Sequence, residues 1–245
     1  ETFLVLNGDV LTDLDVSTMA AGHRASGAMG TIALTKVDDP SRYGVVTVAP
    51  DDGSVELGGM TQGRVLGFVE KPPHDEAPSR WINAGTYVLE PAVLDRIEAG
   101  RRVSIEREVF PSLAAEGSLR AVCSEAYWLD TGTPEAYLQA QTDLLDGTRA
   151  RMEPLAATAS VAEDAVVDRA VVMSGASVGS GATVCDAVLM EGAVVEAGAV
   201  VRHSVLGPDA RVGRRAEVTG RSRSARGQGV GDDPPVDGAR IPDEG

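Results

Sequence analysis

The stretch ASVAEDAVVDRAVVMSGASV, residues 159–178, carries branched aliphatics at Val161, Val167, Val172 and Val178, separated by 6, 5 and 6 residues. The rhythm continues through Val184, Leu189, Val195, Val201, Leu206, Val212 and Val218, with spacings of 6, 5, 6, 6, 5, 6 and 6. Two positions before each aliphatic stands a small residue, from Ala159 through Ser204 to Ala216. A 17-residue period cut into three short faces predicts a three-sided parallel β-helix. The aliphatics fill its inside, and the small residues stand where the chain turns a corner. This domain is expected over residues 155–220. From Arg221 onward apolar residues almost vanish, and residues 221–245 are expected to be a disordered tail, Arg223 and Arg226 included.

Upstream of the repeat, in residues 1–150, the texture is different. Short apolar runs at 3–6, 31–36, 43–48, 65–69, 81–89 and 127–132 read as strands. Capped segments at about 15–25, 91–97, 104–111 and 133–146 read as helices. That alternation predicts an α/β domain with a Rossmann-like, mostly parallel mixed sheet and helices on both faces. Polar residues gather at the strand ends: Asp9 after Asn7-Gly8, Glu70 and Lys71 before Pro72, Asn83 before Gly85, and Asp130. Open α/β sheets bind ligands along such an edge. Adjacent strand residues point to opposite faces, so Glu70 and Lys71 are not expected to pair on one face.

Composition narrows the function classes. The chain has 245 residues, a net charge of −15 and a pI of about 4.6, which argues against general binding to a nucleic-acid polymer. Phosphates are still within reach of local Lys, Arg, backbone amides or a metal. No apolar run reaches membrane-spanning length. Two cysteines, Cys123 and Cys185, lie outside any metal-ligand spacing and suggest a reduced, cytoplasmic setting. The chain enters a strand at Phe3 without a starting Met or a leader, so it is expected to be a fragment of a longer protein.

Six stretches in this order resemble the sugar-1-phosphate nucleotidyltransferase family, nearest its mannose-1-phosphate guanylyltransferase branch. They are Leu6-Asn7-Gly8-Asp9, Tyr43-Gly44-Val45-Val46, Phe68-Val69-Glu70-Lys71-Pro72, Ile82-Asn83-Ala84-Gly85-Thr86-Tyr87-Val88-Leu89, Ser104-Ile105-Glu106-Arg107-Glu108-Val109-Phe110-Pro111 and Trp128-Leu129-Asp130-Thr131-Gly132-Thr133-Pro134. The hexapeptide texture that follows resembles left-handed parallel β-helix domains. The resemblance implies transfer of a nucleotidyl group from a nucleoside triphosphate, GTP, to a sugar 1-phosphate, mannose 1-phosphate. Asp9 and Asp130 are the implied Mg²⁺ ligands, and with Lys71 the implied catalytic residues. Lys71 would hold the acceptor phosphate, and Glu70, Asn83, Glu106 and the backbone at Gly44 and Gly85 would hold the sugar. The Gly-rich triphosphate loop of that family has no counterpart before Phe3. The 245-residue chain alone is therefore expected to be an inactive acceptor half. The β-helix implies a homo-oligomer.

Three other readings compete. A glucose-1-phosphate thymidylyl-, uridylyl- or adenylyltransferase would share the acceptor residues and metal. A non-catalytic regulatory homologue would have no electrostatic reason to keep Asp9, Lys71 and Asp130. A hexapeptide acyltransferase would bind acyl-CoA at the β-helix, where His203 is read instead as a surface histidine.

Overall fold

The computed structural model describes residues 1–49, 55–148, 153–220, 222–233 and 235–241. The chain divides into two compact units, Glu1–Trp128 and Leu129–Gly245. No helix among the described residues is long and apolar enough to cross a membrane.

The first unit contains β1 (Phe3–Leu6), β2 (Val10–Thr12), α1 (Val16–Ser26), β3 (Gly30–Lys36), β4 (Gly44–Val48), β5 (Val55–Leu57), β6 (Met60–Glu70), β7 (Trp81–Leu89), α2 (Phe110–Ala115) and β8 (Leu119–Cys123). Asp15 starts α1 by accepting a hydrogen bond from Thr18 N at 3.0 Å, and Gly27 ends it with φ 63°. The segment at 91–97 forms a 3₁₀ helix, Pro91–Arg96, and that at 104–111 begins as a π-helical turn, Ile105–Val109, leading into α2. The sheet runs in the order β1-β7-β3-β8-β6-β4, with β5 on β6. It is mixed, as expected, but the parallel share in this unit is smaller than expected. β3–β8 is parallel, whereas β1–β7, β3–β7, β4–β6, β5–β6 and β6–β8 are antiparallel. β5 and β6 are joined by a tight turn, and such a hairpin can only run antiparallel. Among the described residues, the β-helix strands of the second unit pair in parallel.

Both sheet faces are covered. Val109, Phe110 and Leu113 pack on one face against Ile32, Leu34, Val46, Val65 and Tyr87. Met19 of α1 packs on the other against Ala33, Met60, Ala84, Val88 and Val122.

The second unit opens with the end of β9 (Trp128–Asp130) and α3 (Pro134–Leu145), which Thr133 caps by accepting from Ala136 N at 3.2 Å. Three five-stranded parallel sheets then form the faces of the β-helix. Val161 stacks on Val178, Val178 on Val195 and Val195 on Val212, as the period predicts. The small residues sit inside the corners: Ala176, Ala182, Ala193, Ala199 and Ala216 are fully buried. The residue before each takes the turn. Arg169, Asp186 and His203, 17 apart, stand at φ 46°, 45° and 48°. This left-handed conformation costs a non-glycine residue about 1–2 kcal/mol. Arg169 Nε donates to Asp186 Oδ1 at 2.8 Å, tying two of these corners together.

The predicted tail is a correction. Arg223–Ser224, Gly229–Val230, Pro235–Asp237 and Arg240–Ile241 continue the three sheets. Pairing here slips from 17 to 18 residues, with Leu206 opposite Ser224. Buried Ser224 occupies the inward position that Leu206 holds in the coil below, and buried Ser222 stacks on Ser204. Arg221, Pro234 and residues 242–245 lie outside the described residues.

Candidate active site

The ends of β4, β6 and β7 converge beside the π-helical turn. Gly44 is the register partner of Glu70, and Val45 of Ile82. A Cβ added at Gly44 would stand 2.6 Å from Phe68 Cζ and 2.9 Å from Glu70 Oε2, so the glycine is what lets the Glu70 carboxylate lie against the sheet. Along β7, Asn83 and Tyr87 reach the same side across an irregular stretch, where Gly85 takes φ 73° and the pairing with β3 shifts between Ile32 and Leu34. Asn83 Nδ2 donates to Tyr87 Oη at 2.9 Å and to Glu106 Oε1 at 2.6 Å. Tyr87 Oη donates to the same carboxylate oxygen at 3.5 Å. Asn83 Oδ1 accepts from Gly85 N at 3.1 Å, which fixes the amide's orientation. Glu106 is presented by the π-helical turn, a distortion common at functional sites.

Two carboxylates therefore stand close enough at these strand ends for the charge of one to act on the other. Burial first, then the charge of Glu106, pushes the Glu70 carboxyl above the usual range, against the pull of Lys71 and Arg107. Glu70 Oε2 is buried and has no hydrogen-bond partner. A buried acceptor left unsatisfied costs about 1–3 kcal/mol, which a ligand hydroxyl would recover. Burial also pushes the Tyr87 phenol up to about 12, with the Glu106 and Glu70 charges adding to it, so the hydroxyl remains a donor. This set of acceptors and donors suits a neutral polyol.

Lys71 supplies the adjacent cation, and its placement corrects the expectation from strand alternation. β6 ends at Glu70, and Lys71 turns into the left-handed region at φ 51° while its N donates to Tyr43 O at 3.0 Å. That turn cancels the alternation. Lys71 Nζ lies 3.9 Å from Glu70 Oε1, with the lysine side chain exposed and the glutamate largely buried. A residue held at positive φ without being glycine is strain of the kind that collects at functional sites.

The Asn7-Gly8-Asp9 turn reaches the same strand. Asn7 N donates to Gly85 O at 2.8 Å, and a Cβ on Gly85, at φ 73°, would meet the Asn7 side chain at 2.8 Å. Asp9 is exposed in that turn. Asp130, the last residue of β9, is half-buried, and its Oδ1 accepts from Gly132 N at 2.9 Å. No group of three or more His, Cys, Asp or Glu side chains placed to hold a metal occurs among the described residues. Carboxylates in ones and twos fit Mg²⁺, which keeps water and takes its remaining oxygens from substrate phosphates.

Of the residues singled out in the sequence, Gly44, Glu70, Lys71, Asn83, Gly85 and Glu106 are gathered within the first unit. Tyr87 was missed there. The signal was available, because it stands four residues after Asn83 in the same strand. Trp128 is a packing residue: its Nε1 donates to Ala84 O at 3.0 Å and its ring meets Tyr43 edge-on at 5.8 Å.

Comparison with known proteins agrees with both units. Residues 1–147 match the Nucleotidyl transferase family and residues 154–242 the GMPPB C-terminal domain. The chain is 42% identical over 158 residues to the mannose-1-phosphate guanyltransferase of Schizosaccharomyces pombe, covering 64% of this chain and 40% of that protein. It is 42% identical over 149 residues to the probable mannose-1-phosphate guanylyltransferase 3 of Arabidopsis thaliana, covering 61% and 41%. It is 40% identical over 149 residues to the mannose-1-phosphate guanylyltransferase of Mycobacterium tuberculosis, covering 60% and 38%. The matched stretch thus spans about two fifths of each relative's length. With six motifs in order, a β-helix behind them and a family match over residues 1–147, the chain belongs to the nucleotidyl transferase family.

Proposed function

We propose that this protein serves nucleotidyl transfer from GTP to mannose 1-phosphate, giving GDP-mannose and pyrophosphate. The observation that carries this reading is the joint placement of Glu70, Asn83, Tyr87 and Glu106 around Gly44 and Gly85, with Lys71 at the edge. Acceptors and donors for sugar hydroxyls lie beside one compact cation for a phosphate. The names of the relatives supply the sugar and the base.

In the reaction a phosphate oxygen of the acceptor attacks the α-phosphorus, and the bond to pyrophosphate breaks. Lys71 offsets acceptor charge as two polyanions approach, and Glu70 orients the sugar by accepting from its hydroxyls. Asp9 and Asp130 are the carboxylates proposed for Mg²⁺, an assignment resting on their sequence motifs. When bound, the ion neutralises charge on the phosphates. The two cysteines, both free, accord with a cytoplasmic setting. Self-association through the β-helix completes the proposal, and light scattering of the purified chain tests it.

Calorimetric titration of the 245-residue chain checks the acceptor assignment. Mannose 1-phosphate is expected to bind at least about tenfold more tightly than mannose, the difference being the charged contact at Lys71. Equal affinities for the two would overturn the reading. Asp9→Asn and Asp130→Asn are expected to abolish any Mg²⁺-dependent gain in that affinity, and a gain that persists in both would remove them from the metal site.

A further inference from the structure

The face of the first unit's sheet under α1 brings together two arginines and a buried amide. In the antiparallel β6–β8 ladder Arg64 stands directly opposite Arg120, and Gln62 opposite Val122. Val122 packs under α1, so Gln62, Arg64 and Arg120 share that face by alternation. Like charges directly opposite one another in a ladder are destabilising. Neither guanidinium has a carboxylate partner among the described residues. Beside them lies a cavity of about 160 Å³ lined by Gly22, Ser26, Leu57, Gln62 and Arg120. Gln62 is 5% exposed, and its Nε2 is buried without a partner.

A buried donor without a partner, on the same sheet face as two like charges in register, is costly for a fold to keep. An anion removes both costs together. Since a water occupies about 30 Å³ in the liquid, the cavity has room for a tetrahedral phosphate and accompanying water.

We propose that Gln62, Arg64 and Arg120 form a second anion site, which takes a phosphate group, free or as the ester of a small metabolite. It lies on the sheet face opposite Tyr87 and Glu106 and shares no residue with the Glu70–Lys71 cluster. Arg120 and Gln62 line the cavity, and Arg64 stands opposite Arg120 across the ladder. A phosphate there ties β6 to β8 and stabilises the strand that ends at Glu70, just before Lys71.

The test is titration of inorganic phosphate into the 245-residue chain and into its variants, by calorimetry and by thermal melting. Lys71→Met is expected to keep one phosphate site. Arg120→Met and Arg64→Met are each expected to weaken that site at least about tenfold, the loss of a charged hydrogen bond. Without phosphate, both arginine variants are expected to melt a few degrees higher than wild type, because the repulsion is gone. Gln62→Leu removes the donor while keeping an apolar filling, and is expected to lose the phosphate-dependent rise in melting temperature. Phosphate binding that survives in all three variants and disappears in Lys71→Met would overturn the proposal. So would a wild-type chain that shows no response to millimolar phosphate. Competition by glycerol 3-phosphate distinguishes an ester ligand from the free ion, and either result supports the site.

Discussion

Glu70 concentrates the physical conflict of the candidate site in one side chain. Its carboxyl is buried next to the Glu106 charge, and one oxygen has no partner. For an acid whose folded pKa is raised, the folded state binds more protons than the unfolded one above the ordinary value of 4.5. Stability associated with this group is therefore present below pH 4.5 and lost as pH rises through the elevated value. Glu70→Gln removes that loss. The variant is expected to melt a few degrees above wild type near pH 7.5, with the gap closing toward pH 4, while its affinity for mannose 1-phosphate falls. Melting curves across that pH range check the sign, and a gap that widens as pH falls would contradict it. Gly44→Ala tests the same spot sterically. Its methyl would stand 2.6 Å from Phe68 Cζ, so a loss of about 1–3 kcal/mol in denaturant melts is expected, together with weaker acceptor binding.

At the scale of elements, local signals were sufficient wherever a period or a cap repeated. Asp15 and Thr133 cap helices in the segments read as capped, Gly27 ends the first, and the stacking of Val161, Val178, Val195 and Val212 follows directly from their spacing. The signal failed where the repeat changed both letter and length. Ser224 replaces an aliphatic and the pairing slips by one residue, so the last strands were not legible and the segment read as a tail. Strand alternation also misplaced Lys71, because alternation ends where φ turns positive. The β-helix is a stack in which each coil touches only its neighbours, so damage to one coil spreads to those on either side. Leu189 is fully buried between Val172 and Leu206 in its face. Leu189→Ala is expected to cost about 2–5 kcal/mol in denaturant melts followed by far-ultraviolet circular dichroism. A cost under about 0.5 kcal/mol would show that the β-helix core is not packed as described.

Over the whole molecule, the order of motifs made the family legible, while the geometry of the site came from long-range pairing that no motif spells out. Residues from 44 to 106 meet because β4, β6 and β7 share a sheet and the π-helical turn closes over their ends. Glu106 was identified only through its motif, since nothing in its own neighbourhood places it 2.6 Å from Asn83. The central claim is that this cluster recognises a sugar and its phosphate separately, the carboxylates and Asn83 holding hydroxyls and Lys71 holding the phosphate. The most direct measurement is titration of mannose 1-phosphate and of mannose into wild type and Lys71→Met. Lys71→Met is expected to weaken mannose 1-phosphate at least about tenfold while leaving the weak binding of mannose unchanged. Equal effects on both ligands, or none on the phosphate ester, would contradict the account.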